Sequence, residues 1–336
     1  MRILLAALVA FVVSAALGRA LIPALRRLKA GQSIKEDGPT WHMAKQGTPT
    51  MGGLMFICGV TVSVLCVGFS DLRSGLWSAV YVLGFSLVFG CIGFLDDYAK
   101  VKKKENTGLT APQKFLLQLS AAILFTVLLR YTGHLTPNLY VPFLDVTLPL
   151  RWPAYMVFAA FVMVGTVNAV NITDGVDGLA AGVTLPVAAF FTAISAWGAA
   201  YWHKAEYMPL ALFSAALFGA LVGFLLYNSH PAKVFMGDTG SLFLGGAVCG
   251  LAFALDLPLI LIPVGVIYIA ETLSDIIQVV YFKATRGKRI FRMAPLHHHL
   301  ELGGWGENKL CLVFGSVTLA GCLLAFWGVM GRFPLS

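Results

Sequence analysis

Ten long apolar segments, separated by short polar ones, follow one another along the chain. Each is long enough to cross the hydrocarbon core of a bilayer as a helix, and an open strand in lipid would leave its backbone polar groups unsatisfied. The pattern therefore predicts an all-α integral membrane protein with about ten transmembrane helices, in a single domain spanning residues 1–336. The predicted spans are 3–24, 51–69, 76–95, 112–130, 153–171, 178–198, 209–227, 240–255, 258–283 and 308–331.

The composition agrees with a membrane protein. Apolar residues make up 58% of the chain and charged residues 12%, whereas soluble domains are nearer 45–50% and about 25%. The net charge of +8 does not require a nucleic-acid partner, because basic loops beside anionic lipid headgroups account for it. The lipid bilayer is therefore a predicted partner and nucleic acid is not.

The basic residues divide unevenly between the two sides of the predicted bundle. Fourteen of the 24 Lys and Arg residues lie in the five loops on one side, and five lie on the side that carries both chain termini. The positive-inside rule places the basic loops in the cytoplasm. We therefore predict that both termini lie outside and that the polar motifs described below face the cytoplasm.

Two adjacent carboxylates, Asp96 and Asp97, follow the third predicted span. The span is expected to end there, so the pair is expected to begin the second cytoplasmic loop, ahead of three lysines at 102–104. Acids at the end of a spanning helix are often solvated boundary residues. Three other loops on the same side also carry polar residues suited to a metal and a nucleotide, which favours a functional role for the pair.

Some charged and polar residues fall inside predicted spans, where they are costly and need a partner. Lys114 lies at the start of the fourth span. Glu271 and Asp275 lie in the ninth span, and Gln278 follows one turn nearer the cytoplasm on roughly the same face.

The third cytoplasmic loop has polar residues at every third position, namely Asn168, Asn171, Asp174 and Asp177. In a helical stretch this spacing forms one slowly turning stripe, and Gly175 allows a ligand to approach the backbone closely. Helix capping explains one of the aspartates. It does not explain two asparagines at the end of an apolar span, where unpaired amides are costly. A ligand site is therefore favoured.

The fourth loop contains the string Asp-Thr-Gly-Ser, beginning at Asp238. The string is also found in aspartic proteases, but that chemistry needs two carboxylates that share a proton, and the chain has no second copy. A single aspartate after a glycine, near the start of a helix, suits Mg²⁺ with one or two protein oxygens plus substrate phosphate. Phe235 is suited to stacking on a base, although aromatic residues are also common at membrane interfaces.

The first and fifth loops add further polar candidates. Lys45 and Thr50 precede the second span in a glycine- and proline-containing turn; contact with phosphate or peptide and a plain loop fit this stretch equally well. The fifth loop contains His297, His298 and His299 in succession. Neighbouring side chains on a helix point about 100° apart, so one ion cannot easily bind all three, and donation to phosphates is the better interpretation.

Five stretches in this order resemble the phospho-N-acetylmuramoyl-pentapeptide transferases, a branch of the polyprenyl-phosphate N-acetylhexosamine-1-phosphate transferase family. The family's ten-helix arrangement with both termini outside agrees with the prediction above. The histidine triplet is more similar to the muramoyl-pentapeptide branch than to the N-acetylglucosamine branch, and Val176 stands where leucine is expected, a conservative difference. The matching stretches are residues 47–53, 96–98, 168–178, 235–241 and 295–300.

The resemblance implies a reaction, a cofactor and a location. Undecaprenyl phosphate would attack the β-phosphorus of UDP-N-acetylmuramoyl-pentapeptide, giving lipid I and UMP, with Mg²⁺ required. This is the first membrane step of peptidoglycan synthesis, which builds the bacterial cell wall. The implied location is the bacterial plasma membrane, with a multi-pass chain whose active site faces the cytoplasm. Whether the protein forms a homodimer is left open.

The resemblance also implies roles for individual residues. Asp238 is the expected Mg²⁺ ligand, with Asn171 as the candidate second ligand, and the lipid phosphate is expected near Asp96, Asp97 and Lys114. The expected catalytic residues are Asp96, Asp97, Asp238, Lys114 and His297. The expected nucleoside pocket consists of Asn171, Asp174, Gly175, Asp177 and Phe235, with Phe235 stacked on uracil. Contacts to sugar, peptide or phosphate are expected from Lys45, Thr50, Gln278, His297, His298 and His299.

Two alternative functions remain at this point. A transferase that uses UDP-N-acetylglucosamine belongs to the same enzyme class. A transporter or flippase for a polyprenyl-linked or anionic solute would also place polar residues in spanning helices. Against transport, the polar residues cluster toward one face of the membrane, and the sequence has no inverted repeat of the kind found in many transporters.

Overall fold

The computed structural model describes residues 1–28, 45, 47–103 and 107–330. Most of the first basic loop (29–44 and 46), residues 104–106 and residues 331–336 lie outside the described residues, so the charges predicted there are not located. The described elements are α1 (Arg2–Arg27), α2 (Gly53–Val67), α3 (Phe69–Arg73), α4 (Ser78–Lys103), α5 (Ala111–Tyr131), β1 (Asn138–Val141), β2 (Val146–Pro149), α6 (Trp152–Thr173), α7 (Leu179–Tyr201), α8 (Tyr207–Asn228), α9 (Gly237–Ala254), a 3₁₀ turn (Pro258–Ile260), α10 (Leu261–Val264), α11 (Val266–Ala284), α12 (Leu296–Glu301) and α13 (Glu307–Val329).

The helices confirm an all-α integral membrane protein. Among the described residues, eight helices are long and apolar enough to cross a membrane, and nine if one bent pair is counted as a single span. The second predicted span appears as α2, an apolar helix of only 15 residues. Every predicted span thus corresponds to a helix or a helix pair, while the count of ten crossings and their orientation stay predictions.

The predicted end of the third span is wrong. Helix α4 runs to Lys103, so Asp96 and Asp97 lie inside a helix and not at the start of a loop. Residues 96–103 contain no glycine or proline to end the helix, and Lys100 lies 2.6 Å from Asp96 in an i,i+4 ion pair that supports helical structure. The polar stretch therefore extends the helix beyond its apolar part.

The ninth predicted span is not continuous. The segment Pro258–Val264 is bent by 81° relative to α11. Pro258, Pro263 and Gly265 lie at or before the break, and proline removes a backbone donor and disrupts the preceding turn.

A short antiparallel hairpin, β1 paired with β2, is a second departure from the all-helical prediction, and it lies in the loop before α6.

Helix α9 lies at the centre of the bundle. All of its residues from 239 to 254 are buried, as expected of a helix that is apolar on every side. Gly93 of α4 packs directly on the backbone carbonyl of Asp238, where a Cβ atom would overlap it. This close approach brings the polar end of α4 to the N-terminus of α9 and positions the candidate site.

Candidate active site

Three carboxylates from two helices meet at the N-terminus of α9. Asp96 and Asp97 come from α4, and Asp238 comes from the first turn of α9. One oxygen atom of each lies within 4.8 Å of the other two. We call these three residues the acidic cluster. The structure thus brings together the two aspartate motifs that stand far apart in the sequence.

Two lysines neutralise the acidic cluster. The Nζ atom of Lys100 lies 2.6 Å from Oδ2 of Asp96 and 3.0 Å from Oδ2 of Asp238. Lys114, from α5, lies 2.9 Å from the same oxygen of Asp238. Lys114 therefore has the partner expected of a charge in an apolar segment. Lys100 is not among the residues expected from the sequence, although its spacing of four from Asp96 suits an ion pair once the helix continues.

The two adjacent aspartates have different surroundings. Asp97 accepts hydrogen bonds from the backbone nitrogen of Asp238 at 3.2 Å and from the backbone nitrogen and hydroxyl of Thr239 at 2.9 and 2.7 Å. Asp96 accepts a hydrogen bond from the backbone nitrogen of Leu109 at 2.7 Å and pairs with the side chain of Lys100. Asp97 therefore holds the N-terminus of α9, whereas a flexible side chain and a loop hold Asp96.

The predicted stripe of polar residues at every third position is divided in the structure. Asn171 reaches the acidic cluster: its Nδ2 atom donates to Oδ1 of Asp238 at 2.8 Å and to the hydroxyl of Ser241 at 2.7 Å. Asn168 instead donates to Oε1 of Gln118 on α5 at 2.7 Å. Helix α6 ends at Thr173, so the two aspartates of the stripe lie in the turn that follows.

Lys45 and Asp177 belong to a second group of charges. The Nζ atom of Lys45 lies 2.7 Å from Oδ1 of Asp177 and 2.7 Å from Oε2 of Glu307. The Nδ1 atom of His230 lies 3.1 Å from Asp177 and 3.2 Å from Glu307. We call these four residues the ion network. It joins the segment before α2, the α6–α7 turn, the α8–α9 turn and the N-terminus of α13.

Asp174 lies between the acidic cluster and the ion network. Burial, followed by the negative charges of Asp238, Asp97 and Asp177, holds the pKa of Asp174 well above its ordinary value. The proton-bearing form, which can donate a hydrogen bond, is therefore more populated than in an ordinary aspartate. The pKa of Asp174 is higher in the folded protein than in the unfolded chain. The free energy of unfolding that this residue contributes therefore falls as the pH rises above the pKa of the unfolded chain.

His297 is buried beside a glutamate. Its Nδ1 atom lies 2.8 Å from Oε2 of Glu271, and its backbone nitrogen donates to Oε1 of the same carboxylate at 3.1 Å. Its exposed fraction is 1%, and that of Glu271 is 0%. The other ring nitrogen, Nε2, faces Gly175, where a Cβ atom would overlap it. Gly175 is therefore needed for this histidine to approach the α6–α7 turn.

The other two histidines have separate partners, as their helical spacing predicts. His298 lies 2.8 Å from Glu301, and the Nδ1 atom of His299 accepts a hydrogen bond from a backbone nitrogen of the preceding loop at 3.1 Å. Gln278, expected to contact substrate, uses its amide oxygen to accept from the backbone nitrogens of residues 290 and 291 at 3.1 and 3.0 Å. In this structure Gln278 holds the α11–α12 loop.

Thr50 and Phe235 are brought together by backbone hydrogen bonds. The backbone nitrogen of Phe235 donates to the carbonyl of Pro49 at 2.8 Å, and that of Gly52 donates back to the carbonyl of Phe235 at 2.8 Å. Thr50 is buried next to Gly237, whose φ of +71° requires glycine. Phe235 is half-buried. The first and fourth predicted loops therefore form one wall of the site.

Several residues that complete this arrangement are not among those expected from the sequence. Glu271 carries the one available signal, a charge inside a predicted span, but the sequence does not reveal its partner. Glu307 and His230 carry no motif, because their role depends on which loops become neighbours in the fold. The unexpected residues that form ion pairs with the expected ones include Lys100, His230, Glu271, Glu301 and Glu307.

Known protein families match this chain over long stretches. The model of glycosyl transferase family 4 matches residues 79–256, and signature 1 of the phospho-N-acetylmuramoyl-pentapeptide-transferases matches residues 45–57. Curated proteins with that transferase name are similar along almost their whole length. The protein from Clostridium acetobutylicum is 47% identical over 96% of this chain and 98% of its own. The protein from Acetivibrio thermocellus is 46% identical over 97% of this chain and 95% of its own. One from a Thermoanaerobacter species is 49% identical over 98% of this chain and 99% of its own.

The helical membrane bundle and the family match therefore define a membrane-embedded transferase of glycosyl transferase family 4. Within that class, the identities over nearly the full length are decisive. The chain belongs to the family of phospho-N-acetylmuramoyl-pentapeptide transferases.

Proposed function

We propose that this chain transfers phospho-N-acetylmuramoyl-pentapeptide from its UDP-linked precursor to undecaprenyl phosphate, giving lipid I and UMP. The observation that carries the proposal is the acidic cluster with its two lysines. Transfer of a phosphoryl group depends mainly on positioning and on neutralising charge, and the cluster gathers carboxylates and ammonium groups at one point. Membership of the family supports the identity of the donor and the acceptor.

The donor atoms of the acidic cluster suit Mg²⁺. This ion prefers oxygen and binds through one or two carboxylates plus substrate phosphate, and three carboxylates lie within 4.8 Å of one another here. Asp238 is the proposed principal ligand. Asn171 is the proposed second ligand through its amide oxygen, because its amide nitrogen donates to Asp238 and Ser241. When bound, Mg²⁺ supplies positive charge to the phosphates of the substrate.

The side chains of the cluster have different proposed tasks. Asp96 is the proposed base that takes a proton from the lipid phosphate, because Asp97 is committed to the N-terminus of α9. Lys100 and Lys114 neutralise phosphate charge beside Asp238. A phosphate monoester is already a competent nucleophile, so we infer that the lipid phosphate attacks directly, without a phosphoryl-enzyme.

The α6–α7 turn and the paired segments around Thr50 and Phe235 form the proposed nucleoside pocket. Asp174 and Gly175 of the turn are the proposed contacts to the nucleoside, and Phe235 is the proposed stacking partner of uracil. His297 borders the pocket through its contact with Gly175. His298, His299, Gln278 and Lys45 are proposed to contact sugar, peptide or phosphate.

Replacing Phe235 with alanine is expected to weaken UMP binding by about 1–3 kcal/mol, the range found when base–aromatic stacking is removed. Calorimetric titration of the purified protein with UMP measures the change. The matched control is Phe161→Ala, a phenylalanine that is 77% exposed on α6, which should leave the affinity unchanged. If Phe235→Ala also binds UMP as tightly as the unaltered protein, the residue is an interface aromatic.

The donor sugar separates this function from its alternatives. UMP release is measured with UDP-N-acetylmuramoyl-pentapeptide and with UDP-N-acetylglucosamine, each with and without undecaprenyl phosphate. We expect release only with the muramoyl donor and the lipid together. Release with UDP-N-acetylglucosamine would indicate the other branch of the family, and no release with either donor would leave transport as the better interpretation.

We further propose that the protein lies in the bacterial plasma membrane with both termini outside and the active site in the cytoplasm. The basic residues of the loops on the side of the acidic cluster support this orientation. A C-terminal fusion to a reporter that fluoresces only in the cytoplasm should remain dark. The same reporter inserted in the loop after α4 is the control and should fluoresce; the reverse pattern would place the site outside.

A further inference from the structure

The ion network contains one member, Glu307, whose contacts connect three separate parts of the proposed substrate pocket. Glu307 is the first residue of α13, where the positive end of the helix dipole favours a carboxylate. Its Oε2 atom contacts Lys45 at 2.7 Å, and its Oε1 atom lies 3.2 Å from His230. Only 9% of the residue is exposed, so these contacts are largely shielded from water.

Glu307 also holds the backbone of the α6–α7 turn. Its Oε2 atom accepts a hydrogen bond from the backbone nitrogen of Asp177 at 2.9 Å. One turn further along α13, the thiol of Cys311 donates to the carbonyl of Asp177 at 3.2 Å. The N-terminal part of α13 therefore holds both the backbone nitrogen and the backbone carbonyl of Asp177, and with them the turn that carries Asp174 and Gly175.

The ammonium group of Lys45 lies between two carboxylates, those of Asp177 and Glu307. Its side chain is long and flexible, and fixing it costs conformational entropy. Asp177 alone provides one contact to hold it, while Asp177 and Glu307 together define its position from two directions. The segment before α2 is thus attached to α13 and to the α6–α7 turn through one ammonium group.

From these contacts we infer that Glu307 is a positioning residue for the donor substrate, acting through Lys45 and the α6–α7 turn. This inference rests on the proposed function, in which Lys45 contacts the nucleotide sugar. Glu307 itself lies outside the acidic cluster and does not touch its members. Its loss should therefore raise KM for the UDP-linked donor and leave kcat nearly unchanged.

A double-mutant cycle tests whether Glu307 acts through Lys45. Lys45→Met, Glu307→Gln and the double variant are assayed for UMP release as the full-length protein with undecaprenyl phosphate. We expect Glu307→Gln alone to raise KM for the donor about tenfold. In the Lys45→Met variant, the same change should raise KM by less than about twofold more, because the effects of residues in one network are not additive. Asn308→Ala, on the exposed face of the same turn, is the matched control and should not change KM.

Three results would overturn the inference: equal effects of Glu307→Gln with and without Lys45, a lower KM, or a fall in kcat with KM unchanged. A lower KM would mean that Glu307 holds Lys45 away from the substrate. If Glu307→Gln does not fold, the same cycle is run with Glu307→Asp, which keeps the charge but shortens the side chain and should raise KM only while Lys45 is present.

A second readout does not depend on turnover. Hydrogen exchange of the peptide covering residues 174–178 should become faster in Glu307→Ala and stay unchanged in Asn308→Ala, because Oε2 of Glu307 accepts a hydrogen bond from the backbone nitrogen of Asp177 and alanine has no side-chain acceptor. Unchanged exchange would contradict the inference. Absence of UMP release in the unaltered protein, together with faster exchange in the variant, would reject the proposed function and leave the positioning of the turn in place.

Discussion

Asp238→Asn should lower the rate of UMP release by roughly 100- to 1,000-fold or more, the range seen when one preorganised electrostatic partner of a transition state is removed. The carboxylate lies between Lys100 and Lys114, and both ammonium groups contact the same oxygen. A neutral amide is also a weaker ligand for Mg²⁺ than the carboxylate it replaces. Initial rates measured over a range of Mg²⁺ concentrations test the prediction, and binding of Mn²⁺ followed by electron paramagnetic resonance reports the metal directly.

The matched control for Asp238→Asn is Asp256→Asn, which makes the same change just beyond the opposite end of α9. Asp256 is buried and accepts a hydrogen bond from the hydroxyl of Thr136 at 2.8 Å, so its loss affects packing but not the acidic cluster. This variant should keep most of the activity. If Asp238→Asn reaches nearly the unaltered rate at high Mg²⁺, Asp238 is not the metal ligand.

The second large effect is expected from Asp96→Asn, and it should differ in kind from that of Asp97→Asn. Asp96→Asn removes the proposed base and should lower kcat by about 100-fold or more, as expected for loss of general base catalysis, with a smaller loss of thermal stability than in Asp97→Asn. Asp97→Asn replaces a carboxylate that accepts three hydrogen bonds from α9. It should destabilise the protein by about 1–3 kcal/mol, the cost of leaving buried donors without an acceptor.

The two aspartate variants serve as controls for each other in assays of turnover and thermal unfolding. A large loss of stability in Asp96→Asn with a stable Asp97→Asn would reverse the assignment. Label exchange between UMP and the UDP-linked donor is a further test, carried out on enzyme freed of lipid. Exchange without a lipid acceptor that disappears in Asp96→Asn would indicate a phosphoryl-enzyme and contradict direct attack.

The apolar pattern correctly predicts the helical segments, because in hydrocarbon a helix is the available structure that pairs every backbone group within one segment. The pattern does not predict where a polar stretch continues a helix. Asp96 and Asp97 lie inside α4, since the helix is supported beyond its apolar part by the pairing of Asp96 with Lys100. The bend before α11 has a local signal in Pro263 and Gly265, but the bend angle depends on tertiary packing.

The sequence alone determined that this is a helical membrane protein with polar motifs near the ends of its apolar segments, because hydrophobic periodicity and residue chemistry are local properties. It also gave Asp96, Asp97, Asn171 and Asp238 as candidate site residues. Only the tertiary structure decided which oxygens of these residues meet. It also decided that Asp97 accepts hydrogen bonds from the N-terminus of α9, that Lys100 pairs with Asp238 and that Glu307 pairs with Lys45. Those contacts link residues far apart in the chain, and they exist because small residues such as Gly93 let helices approach until their backbones touch.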